Sequence, residues 1–339
     1  MPVRRTGSGV DGRARRWKDN TVSAEGSKKA ILAALAANAG IAVAKFVGFA
    51  ITGSSSMLAE GVHSVADTSN QGLLLLGQKR ASQEADQLHP FGYGRARYFY
   101  SFVVALVIFT LGSMFAIYEG IEKITHANDH GLESPIVAIV ILLVAICLEG
   151  YSFTTAMRES RPLKGGASWW RFIRNSRNPE LPVVLLEDTG ALIGLLLALL
   201  GVGLTMITGN AVWDGIGTLA IGVLLGVIAI VLIVEMKSLL IGEGATVEEE
   251  VALREALESD GVDRVIHMKT QYLGPDELLV AAKIAIPAGT DVVAVAHIID
   301  DAEARIRTAV PQARIIYLEP DIDRGSAQPA ADRADTSSR

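Results

Sequence analysis

Residues 181–201, LPVVLLEDTGALIGLLLALLG, form an apolar run long enough to cross the roughly 30 Å hydrocarbon core of a bilayer. Asp188 lies inside this run, directly after Glu187. Carboxylates are costly in hydrocarbon, and they are retained there mainly where they face a cavity and handle an ion or a proton. The stretch therefore predicts a membrane-spanning helix that carries a buried functional acid.

A second membrane-length run, residues 57–77 (MLAEGVHSVADTSNQGLLLLG), carries His63 and Asp67. Residues at i and i+4 lie on one face of a helix. Imidazole nitrogen and carboxylate oxygen are ligands that suit a divalent transition metal. This pair therefore predicts half of a metal site buried in the membrane.

The whole chain has the composition of a membrane protein. Of its 339 residues 50% are hydrophobic, and the mean hydropathy of +0.34 is too apolar for an ordinary soluble protein. The apolar residues form six blocks of membrane length, at 30–52, 57–77, 98–121, 136–157, 181–207 and 211–234. We therefore expect six transmembrane helices.

The distribution of basic residues predicts the topology. Lysines and arginines are concentrated before the first block and in the connections after the second and fourth blocks. The other three connections, at 53–56, 126–135 and 208–210, contain no Lys or Arg. The positive-inside rule then places both termini in the cytoplasm. The basic N-terminal segment has no short apolar core followed by a cleavage site, so we expect no signal peptide and favour a bacterial inner membrane.

Composition divides the chain into four segments. We predict a disordered basic N-terminus at 1–27, a six-helix transmembrane domain at 28–241, a cytoplasmic domain at 242–321 and a disordered polar tail at 322–339. The patterns in 242–321 predict the element order αββαβ, which suits a small α+β domain of ferredoxin- or metallochaperone-like type.

Several function classes are disfavoured. One histidine in the spans is too few for a membrane hydrolase or desaturase, and no phosphate-binding P-loop is present for an ATP-driven pump. The single cysteine, Cys147, excludes a disulfide within the chain and argues against a thiolate metal cluster. We expect no enzyme, no bound cofactor and no nucleic-acid partner. A passive divalent-cation channel and a membrane metal sensor stay open as alternatives to an active transporter.

From about residue 28 to 320 the chain resembles the cation diffusion facilitator family. The resemblance rests on GSSSMLAEGVHSVADTSNQ (53–71), HPFGYGRARYF (89–99), YEGIEKI (118–124) and DGIGTLAIG (214–222). Within the family, HPFGYGRAR (89–97), WWRFIRNSRNPE (169–180) and LLED (185–188) are most similar to the subgroup of zinc-transporter-nine-like proteins. The resemblance implies a homodimer in the lipid bilayer that exchanges a divalent metal for protons by alternating access, usually exporting metal from the cytoplasm. It also implies that the domain at 242–321 serves dimerisation.

The family's transport site takes two side chains from span two and two from span five, each pair four residues apart. His63 and Asp67 match the first pair and Asp188 matches one member of the second, but the other position holds Val184. A zinc site needs about four ligands. The fourth is therefore missing from its expected place.

Three candidates for the fourth ligand stay open. Glu187 is adjacent to Asp188 but points about 100° away on an ideal helix, Asn70 lies close to Asp67, and water is the third. Zinc is the first expectation, as a transported substrate, while manganese, iron and cobalt also suit nitrogen and oxygen ligands. Ligands must be deprotonated to hold a metal, so binding releases protons, and His63 is the natural titrating group near neutral pH.

Two further metal sites of the family are incompletely matched. In the connection after span two, Asp86 and His89 match, but Tyr93 replaces an expected histidine. In the cytoplasmic domain His297 matches one ligand and Glu319 lies near an acid position. We favour a packed domain that binds little metal, and a loop site is a minor alternative.

Other charged residues in the spans are expected to be structural. Lys45 and Glu60 lie at similar depths and are predicted to form an ion pair between spans one and two. Glu119 and Glu149 are predicted to lie near span ends as packing carboxylates.

Overall fold

The structure is a computed structural model that describes residues 20–52, 55–126 and 135–323. The side chains of 20–27, 48–49, 51–63, 66, 109–110 and 135 lie outside the described set. The chain divides into two compact units, Met1–Ile241 and Gly242–Arg339, and each is described by itself.

The described part of the first unit is helical. Its elements are α1 (Asn20–Thr52), α2 (Ser55–Ala81), α3 (Ala96–Val107), a π-helical segment (Ile108–Ser113), α4 (Met114–Thr125), α5 (Pro135–Lys164), α6 (Trp169–Asn175), α7 (Glu180–Thr208) and α8 (Val212–Ile241). The π-helical segment joins α3 to α4, so that Ala96–Thr125 forms one helix of 30 residues.

Within the described residues, five helical stretches are long and apolar enough to cross a membrane: Lys28–Val47, Ala96–Thr125, Ile136–Lys164, Glu180–Thr208 and Val212–Ile241. They correspond to the first, third, fourth, fifth and sixth predicted blocks. The chain is therefore an integral membrane protein with at least these five candidate spans.

The second predicted block lies in α2, which is not one of the five. With 27 residues α2 is about 40 Å long, enough to cross a bilayer. Its described part contains the apolar run Leu73–Leu76 but also several polar residues, of which Ser64, Asn70 and Gln71 are buried inside the unit. These residues face neighbouring helices instead of lipid, so low hydropathy is expected here. Six spans remain a prediction.

The helices pack as antiparallel neighbours around a buried centre. α2 packs against α1 and α3, α5 against α1 and α7, and α8 against α4 and α7. The buried apolar cluster lies towards the start of α7 and the end of α8, and includes Leu181, Val184, Leu232 and Met236. At the opposite end Gly209, with φ of 70°, ends α7 in the left-handed conformation that glycine adopts readily.

The second unit has the predicted order αββαβ. Its elements are α9 (Val247–Leu257), β1 (Arg264–Gly274), β2 (Glu277–Ala285), α10 (Val292–Ala309) and β3 (Ala313–Asp321). The sheet order is β1-β2-β3, with β1 antiparallel and β3 parallel to β2. The parallel pair needs a crossover connection, which α10 supplies. The three predicted strands are therefore confirmed.

Local sequence explains where the helices of this unit begin. Thr246 accepts a hydrogen bond from the backbone of Glu249, whose side chain bonds back to Thr246, forming a capping box at α9. Asp291 accepts hydrogen bonds from two backbone amides at the start of α10. Leu278 and Ile306 are fully buried in the core between the sheet and the helices.

Candidate metal centre

A cavity of about 300 Å³ lies in the helical unit, with walls from α1 to α5, α7 and α8. It contains four of the five predicted ligands: Asp67 and Asn70 on α2, and Glu187 and Asp188 on α7. The side chain of the fifth, His63, lies outside the described residues. The structure therefore brings Asp67 and Asn70 of α2 to the same cavity as Glu187 and Asp188 of α7.

Asp188 is the most deeply buried of the predicted carboxylates. Its side chain is 1% exposed and its Oδ2 accepts a hydrogen bond of 2.7 Å from Ser152 Oγ on α5. A hydrogen bond of this kind fixes the orientation of a carboxylate, as partners around metal ligands do. Ser152 is thus a positioning residue that the sequence did not single out.

Glu187 lies on the same cavity, although an ideal helix would point it away from Asp188. The cavity is wide enough for both Glu187 and Asp188 to line it. Gln71 Nε2 on α2 donates a hydrogen bond of 2.8 Å to Glu187 Oε2 and ties α2 to α7. Gln71 is fully buried, and it too was missed by the sequence.

Three buried oxygens near this contact have no hydrogen-bond partner among the described residues: Asn70 Oδ1, Gln71 Oε1 and Glu187 Oε1. Buried polar atoms are nearly always paired, because an unpaired acceptor costs free energy. A cation, or a proton on the carboxylate, would satisfy such oxygens. The donor chemistry of Asn70 and Glu187 therefore fits metal ligation.

Val184 lies one helical turn from Asp188, where the family has a ligand. It is fully buried in the apolar cluster and does not line the cavity. This position thus serves packing in the conformation described here, and the apolar side chain suits its surroundings.

The predicted ligands share a cavity but are not gathered into a cage. Within the residues that the structure describes, no three His, Cys, Asp or Glu side chains are grouped to hold a metal ion together. The ligand set therefore stays a prediction, and the side chain of His63 lies outside the described residues.

Glu149 is a further carboxylate on the cavity wall, and the prediction that it lies near a span end is wrong. It is near the middle of α5, which continues to Lys164, and it is 6% exposed. An acid inside the apolar run of span four was the same signal that pointed to Asp188. Lys45 also lines the cavity, and its predicted pairing with Glu60 falls on a side chain outside the described residues.

Charges at the other end of the cavity form an ion-pair group. Lys123 Nζ lies 3.3 Å from Glu119 Oε1 and 3.0 Å from Asp214 Oδ2, which joins α4 to α8. All three line the cavity, whose described walls carry six carboxylates and only two lysines. Carboxylates removed from bulk water require a compensating cation. An excess of acids therefore makes the cavity attractive to cations.

The loop after α2 is organised by hydrogen bonds to Asp86. Asp86 Oδ1 accepts from the backbone amides of Leu88 and His89, at 2.9 and 2.7 Å, and Oδ2 accepts 2.7 Å from Tyr93 Oη. The His89 and Tyr93 rings pack with centroids 4.3 Å apart. Both carboxylate oxygens are therefore engaged in shaping the loop, which disfavours their use as metal ligands.

Tyr93→Phe is expected to raise the pKa of Asp86 towards its ordinary value of 3.8. The Tyr93 hydroxyl is the largest cause of the lowered pKa, followed by the His89 amide. A carboxylate whose pKa is lowered in the folded loop stabilises that loop at pH values above its ordinary pKa. This stabilisation is lost as the pH falls through the lowered pKa. Carboxylate NMR of the full chain would measure the shift. Tyr272→Phe, which removes a hydroxyl from Glu249, is the matched control, and an unchanged Asp86 titration would contradict the assignment.

The two candidate ligands in the second unit are not brought together. His297 is exposed on α10, whereas Glu319 lies on β3 and pairs with Lys283 Nζ at 3.0 Å. Lys283 also contacts Asp321 at 3.3 Å. These contacts give Glu319 a structural partner, and little metal binding in this unit stays a prediction.

The family can now be assigned. A family model described as the cation efflux transmembrane domain matches residues 31–241. The chain belongs to this family, the cation diffusion facilitators.

Three relatives show which members of the family the chain is similar to. The chain is 36% identical over 267 residues to the proton-coupled zinc antiporter SLC30A9, mitochondrial, of Mus musculus, an alignment that covers 78% of this chain and 47% of that protein. It is 31% identical over 278 residues to metal tolerance protein C4 of Arabidopsis thaliana, covering 80% and 60%. A magnetosome protein, MamB of Magnetospira, is 24% identical over 232 residues, covering 67% and 72%. The chain thus spans about half the length of the zinc antiporter relatives, and the matches confirm the predicted zinc-transporter-nine-like resemblance.

Proposed function

We propose that this protein is a secondary active transporter that exchanges a divalent transition-metal cation for protons. The observation that carries the proposal is the acid-lined cavity, whose walls include Asp67 on α2 and Asp188 on α7. The buried, unpaired oxygens of Asn70 and Glu187 support a cation at this place. Zinc is the first candidate substrate because relatives bear the name proton-coupled zinc antiporter, and manganese, iron and cobalt are the alternatives.

The proton half of the exchange follows from ligand chemistry. Carboxylates and imidazole hold a metal only when deprotonated, so protons arriving at the cavity expel the metal and metal binding releases protons. Neighbouring carboxylates titrate jointly, so Glu149, Glu187 and Asp188 would share the exchanged protons.

The finer features of the proposal come from the sequence. Six spans with both termini in the cytoplasm follow from the basic connections. A homodimer, alternating access and metal export follow from the family resemblance. A bacterial inner membrane is our proposal for the compartment, while the word mitochondrial belongs to the relatives.

Asp67→Ala is expected to abolish metal flux into proteoliposomes driven by an imposed pH gradient. Zn²⁺, Mn²⁺, Fe²⁺ and Co²⁺ are compared in parallel, and flux of one metal that depends on the gradient would identify the substrate. Asp300→Ala, at an exposed position on α10, is the matched control and should transport normally. Flux that ignores the pH gradient would favour a channel, and a folded protein without flux of any metal would favour a sensor.

A further inference from the structure

The cavity occupies only one end of the helical unit. Along α7 its described wall begins at Glu187 and continues to Val202, and along α8 it runs from Asp214 to Ile228. Because α7 and α8 are joined at Gly209, these stretches lie together towards that connection. We call this part of the unit the cavity end.

The other end of the unit is closed by apolar packing. Its described buried residues include Leu181 and Val184 at the start of α7, Leu232 and Met236 towards the end of α8, and Tyr98 on α3, all at most 1% exposed. We call this part the packed end. In the proposed topology it faces the cytoplasm.

Among the described residues, a buried ion pair lies inside the packed end. Arg97 Nε and Nη2 donate hydrogen bonds of 2.5 and 2.7 Å to the two carboxylate oxygens of Glu180. The side chains are 7% and 1% exposed. A two-pronged contact of this kind is the strongest geometry for an arginine–carboxylate pair. It joins α3 to α7 two helical turns from Asp188.

The helix ends make the two partners unequal. Glu180 lies in the first turn of α7, where the positive end of the helix dipole favours a negative charge. Arg97 lies in the first turn of α3, where the same dipole disfavours a positive charge. Arg97 therefore depends on Glu180 more than Glu180 depends on Arg97.

We infer that Arg97 and Glu180 are a positioning pair that holds the packed end shut, and so keeps the metal cavity accessible from the opposite side only. The inference rests on the proposed transport function. Opening the packed end would separate α3 from α7 and hydrate both charges, so the pair is made in one state of the cycle and lost in the other. Weakening it shifts the population towards the state open at the packed end.

The test measures thiol accessibility in the full chain reconstituted in vesicles without metal. Cys147, the one cysteine, is replaced by serine. Val184→Cys reports on the packed end and Ala198→Cys, on the cavity wall, reports on the cavity end. A membrane-impermeant maleimide is then added from each side in turn. We expect Ala198→Cys to label from one side and Val184→Cys to label slowly from both.

Glu180→Gln is expected to accelerate labelling of Val184→Cys roughly tenfold or more, because it removes the carboxylate from a two-pronged contact with a buried arginine. The faster labelling should occur only from the side opposite to the one that labels Ala198→Cys. Arg97→Gln should accelerate labelling of Val184→Cys less than Glu180→Gln does. The double variant should label more slowly than Glu180→Gln alone. Arg174→Gln, which breaks the more exposed Arg174–Glu235 pair, is the matched control and should leave the labelling unchanged.

Unchanged labelling in Glu180→Gln would overturn the inference, and so would faster labelling from both sides. If Glu180→Gln does not fold, Arg97→Lys carries the test. Lysine keeps the charge but cannot form the two-pronged contact, so faster labelling from one side is again expected. Unchanged labelling would show that the pair does not hold the packed end shut. Because no metal is present, these results do not depend on whether the protein transports one.

Discussion

Asp188→Asn is expected to lower pH-driven metal flux by roughly 100-fold or more. Loss of a residue that only orients a metal ligand already lowers metal affinity or activity by about 10–100-fold, and Asp188 is itself a predicted ligand. The substitution keeps the shape of the side chain and removes its charge. Asp188 is almost fully buried on the cavity wall, where asparagine would offer the metal a neutral amide in place of a carboxylate. Flux into proteoliposomes, with the protein shown to be monodisperse, is the measurement.

Ser152→Ala gives the graded comparison for this prediction. It removes the hydrogen bond to Asp188 Oδ2 but keeps the carboxylate, so a loss of roughly tenfold is expected from its supporting role. If Asp188→Asn retained wild-type flux, Asp188 would be structural and the remaining wall carboxylates would carry the metal. If Ser152→Ala were as damaging as Asp188→Asn, the serine would itself contact the metal.

Gly120→Ala is expected to destabilise the protein more than alanine at any other described glycine between α4 and α8. A Cβ at Gly120 would lie 2.6 Å from Leu219 N and 2.8 Å from Leu219 Cα, both backbone atoms of α8. The two helices would have to move apart to make room for this atom, and overpacking of this kind costs about 1–3 kcal/mol. Helices in membranes depend on small residues for such close approach. The loss of monodisperse protein on heating in detergent would measure the effect.

Gly203→Ala is the control for this prediction, because a Cβ at Gly203 on α7 meets nothing within 4 Å. Alanine is the better helix former by about 1 kcal/mol, so Gly203→Ala should be neutral or slightly stabilising. Equal thermal stability of the two variants would show that α4 and α8 do not pack as described.

The same glycine contacts explain two stretches that carried the family resemblance. YEGIEKI contains Gly120, and DGIGTLAIG contains Gly215 and Gly222. A Cβ at Gly215 would approach Ile124, and one at Gly222 would approach Ile117. The two stretches therefore meet as the contact surface of α4 and α8, which is a reason for their composition that is independent of metal chemistry.

Much of the candidate site was predictable from residue type and spacing. An acid inside an apolar run is costly, so Asp188 stood out without any structure, and the i, i+4 spacing marked His63 and Asp67. Ser152, Gln71 and Glu149 were missed. Ser152 and Gln71 are common polar residues whose importance lies in the atoms that they contact across helices, and Glu149 was misplaced because the end of its span was set too early.

By itself, the amino-acid sequence determined the membrane class, five apolar helices and the αββαβ order of the second unit, because hydropathy and side-chain periodicity act within a single segment of chain. Only the tertiary structure decided that Glu187 and Glu149 face the cavity of Asp67 and Asp188, that Val184 belongs to the packed end, and that Arg97 pairs with Glu180. These relations join residues far apart in sequence, and they depend on how each helix is rotated against its neighbours. That rotation is set by close packing between helices, which no single segment encodes.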